Sequence, residues 1–433
     1  MSQSATTILI KKQKKTATTM GELLSNDVVE DILGHLPVKS LTRFRCVSKS
    51  CDSIITDPTF ITKHLKLNLN QSESLVSTNT HSEYLLYTTK VKNRSPSSKH
   101  LCAVVCNNDC TLTQISRFEI PSLFEKHSLV GFCNGLFCLA SRRNDLNHII
   151  YLWNPSIRMF KKLLATPFTD EDKKEHNRSV VGLAYNSQNN DFKILRLLSV
   201  LLGPGAEAEA EIYSLSTDSW RKVVISMESL RGFEPNFGRI VKIDPPCIFL
   251  NGALHTLAIT SSHHFILSFN VNDESFREIM LPSSPFDVDT NFTQHASFKG
   301  SLAFFAFADS LRGAFCNIWV MEEYGVAESW TRIYRVPMIW VGDVRFCGCT
   351  DNGEVWIKNS TGLISFDPES QNLNVLGVED ADWVGFTANS MESLILLNGE
   401  SETKGKPSGH PFLQSAFHKY GAASRWEPKL QSL

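Results

Sequence analysis

Residues 151–163 read YLWNPSIRMFKKL, and the fold turns on this stretch. Trp153 is followed by a polar Asn-Pro-Ser turn and then, seven positions after the indole, by the bulky Phe160. The same aromatic, turn and bulky residue recur at Tyr213 and Trp220, Phe269 and Phe276, and Phe366 and Leu373. Tyr185 and Phe192 repeat the interval, and Trp319 to Trp330 reads as the same unit with a longer turn. Leaving out Tyr185, the units begin at 153, 213, 269, 319 and 366, a spacing near 50 residues that suits the blades of a β-propeller. A few short strands cannot bury both faces alone, and stacking blades around an axis lets each cover its neighbour. A β-sandwich that carries such pairs by chance is the competing architecture.

The surrounding sequence supports the β reading. Short apolar runs at 101–106, 149–153, 192–198, 265–269, 302–307 and 394–397 are bounded by turn residues. Asn134-Gly135, Asn251-Gly252 and Asn352-Gly353 supply the positive φ of a tight hairpin, and Lys299-Gly300 does so less ideally. The expectation is an all-β domain over 81–400, a propeller of six or seven blades, in which the strand at 394–397 pairs near the N-terminal strands and closes the ring. Two stretches break the pattern, the charged 169–179 and the Gly-Pro-Gly and Ala-Glu run at 203–211; each is a solvated insertion or a recognition loop.

Upstream the period changes. Residues 69–80 are Asn/Ser-rich and read as a linker, and 23–68 carry a helical stripe. Val28, Ile32 and Leu36 fall four apart, Val29 and Leu33 widen the stripe, and Asp27 three residues before Glu30 resembles a capping box. Pro37 ends this helix because it lacks an N–H and clashes with the preceding turn. Leu41, Phe44, Val47, Cys51, Ile54 and Ile55 form a second stripe, and Phe60, Ile61 and Leu65 a third beyond Asp57-Pro58. So small a unit carries more apolar side chains than it can enclose, which points to an interface.

Composition narrows the function classes. Forty-three basic and forty-five acidic residues leave a formal charge of −2, so neither nucleic acid nor an acidic membrane surface is an expected partner. Eleven cysteines without a secretory apolar segment ahead of them suit a reducing compartment. Cys102, Cys106 and Cys110 recur four apart but lie on or beside an expected strand, without a Cys-x-x-Cys pair, and no metal or cofactor is expected. Residues 1–22 are a basic, Ser/Thr-rich tail, either disordered or a weak targeting signal, and 401–433 form a C-terminal extension. No Gly-x-Ser-x-Gly, His-Glu-x-x-His or phosphate-cradling glycine motif occurs. His263 and His264 are adjacent in an expected strand and point apart, while His255 stands at a strand rim without identifiable catalytic partners. The chain is not expected to be an enzyme.

Residues 24–60, LSNDVVEDILGHLPVKSLTRFRCVSKSCDSIITDPTF, resemble the F-box in its plant form. The stretches LVGFCNGLFCL (129–139), YLWNPSIRMFKKL (151–163), VGLAYNSQNNDFKILRL (181–197), EIYSLSTDSWRKV (211–223), FLNGALHTLA (249–258) and ILSFNVNDESFREIMLP (266–282) are similar, in family order, to the F-box-associated domain, a relative of kelch-type propellers. The resemblance implies a small all-α F-box module followed by the propeller, working in the nucleus, the cytoplasm or both. It implies a substrate-recognition subunit of an SCF-type ubiquitin ligase, bound to a Skp-type adaptor and through it to a cullin-RING complex, with a target protein that the sequence does not name. A protein-interaction scaffold that uses the propeller alone is the other reading. Leu24, Ile32, Leu33, Leu36, Pro37, Leu41 and Val47 match the family's adaptor-binding positions. Ser25 stands where the family has proline and Cys51 where it has tryptophan.

Overall fold

The computed structural model describes residues 25–401 except 77–83, 91–98, 107–111, 125, 142–148, 165–176, 201–207, 226–239, 261–262, 283–289, 309–313, 338–344, 351, 360–361, 377, 379–380, 388–390 and 397–398. The chain divides into two compact units, Met1–Leu67 and Asn68–Leu433. Of the expected features, the basic tail, Leu24, Cys110, most of the 169–179 and 203–211 insertions and nearly all of the C-terminal extension lie outside the described residues.

The first unit is built on helices α1 (Asn26–Gly34), α2 (Val38–Phe44) and α3 (Lys49–Thr56) and on the part of α4 (Pro58–Val76) up to Leu67. Leu33, Val38, Leu41, Ile55, Phe60 and Leu65 are its buried apolar residues. Helix ends leave backbone groups without intrahelical partners, and short side chains take up several of them. Ser48 Oγ accepts the Cys51 N–H at 3.0 Å. Asp57 accepts both the N–H and the hydroxyl of Thr59; these bonds hold its carboxyl below the usual range and leave Pro58 at the first helical position, where its missing N–H costs nothing. The box expected at Asp27 is absent: Ser25 is the N-cap without a side-chain capping bond, and Glu30 reaches Lys63 Nζ instead, at 3.2 Å. Helix α4 runs to Val76, through most of the stretch read as a linker. Once nucleated, a helix gains one bond per added residue, and Asn or Ser costs too little to stop it.

The second unit is a six-bladed propeller. Blade 1 holds β1 (Tyr84–Lys90), β2 (Lys99–Cys106) and β3 (Leu112–Ile120), and blade 2 holds β4 (His127–Cys133), β5 (Leu136–Ser141), β6 (Ile149–Asn154) and β7 (Met159–Leu164). Blade 3 follows with β8 (Asn177–Asn186), β9 (Asp191–Val200), β10 (Glu209–Ser214) and β11 (Ser219–Val223). Blade 4 has β12 (Ile240–Leu250), β13 (Ala253–Thr260), β14 (His264–Asn270) and β15 (Phe276–Met280). Blade 5 comprises β16 (Thr290–Phe298), β17 (Ser301–Ala308), β18 (Phe315–Met321) and β19 (Trp330–Pro337). Blade 6 comprises β20 (Arg345–Cys349), β21 (Val355–Asn359), β22 (Gly362–Phe366) and β23 (Leu373–Leu376). Blade 1 is completed by β24 (Ala381–Thr387), which takes the first-strand place beside β1 in the order β24-β1-β2-β3 and runs antiparallel to β1 from Tyr84↔Thr387 to Thr89↔Ala381. Closure therefore falls to β24 and not to the expected strand at 394–397, of which 394–396 are not in a strand, with Leu394 buried, and Leu397 lies outside the described residues. A short β25 (Glu400–Ser401) then covers the edge of β7 beside Phe160 and Met159.

The interval of seven is the register of a hairpin. Trp153↔Phe160, Tyr185↔Phe192, Tyr213↔Trp220, Phe269↔Phe276 and Phe366↔Leu373 are direct cross-strand partners. The residue five after each aromatic, Arg158, Asn190, Asp218, Glu274 or Gln371, has φ between +50 and +60, the left-handed twist that brings the chain back into pairing. In four of the turns an Asx side chain next to the aromatic accepts an N–H two residues on: Asn154 from Ser156, Asn186 from Gln188, Asn270 from Asn272 and Asp367 from Glu369. Tyr185 belongs to a first-to-second strand turn and the other four to third-to-fourth strand turns, so it falls outside the blade period. Trp319 does not pair with Trp330, as the longer-turn reading had it: Met321 faces Trp330, whose indole N–H donates to Met280 O of blade 4. Asn134-Gly135, Asn251-Gly252 and Lys299-Gly300 all have the two positive φ values of a tight hairpin, whereas at 352–353 only Gly353 does.

The turns also tie blade to blade. Lys161 Nζ of blade 2 meets Asp218 Oδ2 in the last turn of blade 3 at 2.8 Å. Lys193 Nζ of blade 3 is bound to Val271 O at 2.9 Å and to Glu274 at 2.6 Å, both in the last turn of blade 4. His255 Nε2 of blade 4 lies 2.6 Å from the hydroxyl of Tyr324 in the last turn of blade 5. Lys299 and Glu369 approach to 3.4 Å between blades 5 and 6. Beyond β24 the chain crosses to blade 2, where Asn154 Nδ2 donates to Ser393 O and Ile395 O at 2.8 and 2.9 Å, and Ser156 Oγ to Met391 O. Gly135, at φ +82, has no room for a Cβ, which would stand 2.5 Å from Ser393 Cβ.

Two outcomes are expected. Asn154→Ala orphans two carbonyls, one of them at a fully buried contact, and should lower unfolding stability by about 1–3 kcal/mol in chemical denaturation, with the secondary structure intact. Acid should weaken the propeller through His255 and His295, both buried; burial, aided for His255 by the neighbouring His295, pushes their pKa values down to about 3 and about 4. The folded state keeps both neutral, so the unfolded chain binds the extra protons. Their stabilising contribution is whole above about pH 6.5 and falls as pH drops towards 4, by at most about 1.4 kcal/mol per histidine per pH unit. A denaturation series from pH 7 to 5 should show the decline, and His295→Gln, which keeps a donor for His255 O, should flatten it.

Candidate functional site

Pro37 organises the helical unit. It halts α1 and starts α2, and Pro37 O accepts the N–H groups of both Ser40 and Leu41, at 2.8 and 3.1 Å. On either side of this turn the apolar residues divide into two sets. Leu33 and Leu41 point inward, 3 % and 0 % exposed, whereas Val28 and Ile32, four apart on α1, are 44 % and 50 % exposed. Leu36 is half-buried and Pro37 exposed. Phe44 at the end of α2 and Val47 just beyond it are 37 % and 71 % exposed. Four large apolar side chains exposed on so small a unit are the mark of a surface that a partner covers.

Of the seven residues singled out in the sequence, Ile32, Leu36, Pro37 and Val47 reach the surface, and Leu33 and Leu41 support it from beneath. Val28 and Phe44 were missed as surface residues. Val28 was legible as the first member of the Val28, Ile32, Leu36 stripe. Phe44 was not, because an aromatic in a helical stripe is ordinarily core. Cys51, where the resemblance implies a tryptophan, is half-buried. Its thiol therefore stands where a larger side chain would lie partly in solvent. Around the apolar residues, Lys39, Arg43 and Lys49 are exposed, and Arg45 is held by Asp52 at 2.7 Å.

The propeller has two unlike faces. In blades 2 to 6 the connections after the first and third strands leave one face and those after the second and fourth leave the other, and in blade 1 β24 takes the first place and β1 the second. The first face is closed by the tight turns and inter-blade ties described above. The strand ends at the other face are joined by connections that are longer in sequence, and most of their residues lie outside the described ones. The singled-out histidines do not converge on a reaction centre. His263 Nε2 contacts Glu278 at 2.9 Å, His264 is exposed, and His255 is spent on the tie to Tyr324. Cys102 is buried on β2 beside Tyr87, and burial raises its thiol pKa, which opposes a thiolate there.

Comparisons with known proteins agree with this division. Residues 22–63 match the F-box domain model, and residues 74–387 match the F-box associated beta propeller domain model. An F-box/kelch-repeat protein of Arabidopsis thaliana is 28% identical over 338 residues, spanning 73% of this chain and 82% of its own length. The F-box protein CPR1 of the same plant is 24% identical over 381 residues, 82% of this chain and 84% of that protein. A further Arabidopsis thaliana F-box protein is 24% identical over 400 residues, 88% of this chain and 91% of its own. A short helical unit with an exposed apolar face, six blades closed by the last long strand, and a family model covering most of the sequence lead to one assignment: this chain belongs to the F-box-associated β-propeller family, with an F-box domain ahead of the propeller.

Proposed function

We propose that this protein is the substrate-recognition subunit of an SCF-type ubiquitin ligase. Its helical unit docks on a Skp-type adaptor, which joins it to a cullin-RING complex, and its propeller receives the protein to be ubiquitinated. The observation that carries the reading is the exposed apolar set, Val28, Ile32, Phe44 and Val47, on a unit that matches the F-box. Covering these side chains supplies association with about 25 cal/mol for each Å² of apolar surface removed from water. In this reading Leu24, Ile32, Leu36, Pro37 and Val47, joined by Val28 and Phe44, meet the adaptor, and Leu33 and Leu41 hold them in place.

The chain supplies placement and no catalytic group. Tethering a target beside the ubiquitin-transfer partners raises the effective concentration of its lysines. The turn-tied face of the propeller is committed to holding the blades together, which leaves the opposite face to meet a target. The same reading expects the protein in the nucleus, the cytoplasm or both, without a membrane or nucleic acid partner.

A charge placed on the proposed contact tests it. Ile32 is half exposed, so Ile32→Glu should change the melting of the helical unit little, by about 0.5 kcal/mol or less. Against an adaptor the same carboxylate would be desolvated, and binding should weaken by about tenfold or more. Calorimetric titration of the full chain with a purified Skp-type adaptor of Arabidopsis thaliana reads both effects when paired with melting curves. Val47→Glu should behave alike. Wild-type protein that fails to bind would leave a propeller scaffold, and unchanged affinity in both variants would move the contact elsewhere.

A further inference from the structure

Helix α4 reaches back to the docking turn through a side chain that no sequence pattern singles out. His64 is 2 % exposed, packs against Phe60 with ring centroids 6.2 Å apart, and places Nε2 3.1 Å from Leu36 O. We infer that His64 is a positioning residue for adaptor docking: it fixes the Leu36-Pro37 turn by donating from Nε2 to the Leu36 carbonyl. The inference rests on the adaptor reading of the helical unit.

The need for that donor follows from the break in the helix. Were α1 continuous, Leu36 O would accept the N–H of Ser40. Pro37 shifts the chain so that Ser40 and Leu41 both donate to Pro37 O, at 2.8 and 3.1 Å. The His35 and Leu36 N–H groups turn back to Ile32 O and Leu33 O, tightening the last turn. Leu36 O is thereby stripped of its helical partner, next to a proline that has no N–H to offer. A carbonyl in that state is costly to bury without a donor. His64 provides one from a helix 28 residues away in sequence, and a bond to a carbonyl requires Nε2 to carry the proton. One position earlier, Lys63 holds Glu30 at 3.2 Å, so consecutive residues of α4 fasten α1 at two heights. What they fasten is the helix that bears Val28 and Ile32 and the turn that bears Leu36 and Pro37.

Three variants of the full chain, titrated with the same purified Arabidopsis thaliana Skp-type adaptor well below the melting temperature, test the assignment. His64→Phe keeps an aromatic ring beside Phe60 and removes the donor. His64→Gln puts an amide N–H close to where Nε2 stood, and His64→Asn carries the same amide on a side chain too short to reach Leu36 O. Near-wild-type affinity for His64→Gln, with His64→Phe and His64→Asn weakened about tenfold, supports the positioning role. A role confined to stability would instead lower the melting temperature of all three in proportion to their packing and leave the affinity of the folded protein alone. If His64→Phe loses its helical signal, the Gln and Asn pair decides, and equal affinities there overturn the inference. Wild-type affinity in every variant overturns it while leaving adaptor binding in place. Absence of binding by the wild type removes the adaptor reading and the positioning role together.

Discussion

The pairing of β24 with β1 is the contact on which the propeller depends. A sheet edge exposes a row of unpaired N–H and C=O groups, and a ring of blades left open would have unpaired inter-blade faces as well. Here the strand at 381–387 returns to the one at 84–90 and completes blade 1 from opposite ends of the domain. The Trp383 N–H donates to Thr88 Oγ1 where the register slips, so even the irregular point of the seam is bonded. The remaining blades are local meanders of four strands consecutive in sequence, to which blade 2 adds β25. They need the seam because each covers a neighbour, and a missing neighbour would leave apolar faces such as that of Phe137, Trp153 and Phe160 open to water.

Much of this architecture was legible in advance because it is repeated. The seven-residue interval marked third-to-fourth strand hairpins in blades 2, 3, 4 and 6, and the structure supplies its cause in a left-handed residue five after each aromatic. The failures are local and have physical reasons. Trp330 was paired with Trp319 on aromatic character alone, yet its indole serves the neighbouring blade. The run at 394–397 looked like a strand because it is apolar; Leu394 is buried, but the segment is held by side chains of blade 2 and not by a ladder. Residues 69–80 were read as a linker on their Asn/Ser content, and α4 continues through them as far as Val76.

The helical unit was legible as a pattern and illegible as geometry. Periodicity identified which residues are apolar, and Pro37 located the turn. It could not say that Ile32 faces solvent and its neighbour Leu33 the interior, since one wide stripe contains both. Nor could it find His64, whose contribution lies in a bond to a backbone carbonyl distant in sequence. The same holds for the propeller ties: Lys193 with Glu274 and His255 with Tyr324 join residues that no short-range spacing relates.

The seam at Tyr84 and Thr387 also sets an order of events during synthesis. Strands β1, β2 and β3 leave the ribosome early and wait, with the edge of β1 bare, while five blades are translated. Only when 381–387 emerges can blade 1 be finished, and a contact so distant along the chain is slow to form. A product cut short before that point would hold most of its strands and still present a sticky edge to other nascent chains. Chaperones and proteases would meet it as a client. A stop codon just ahead of Ala381 therefore removes the seam while sparing the four consecutive strands of every other blade.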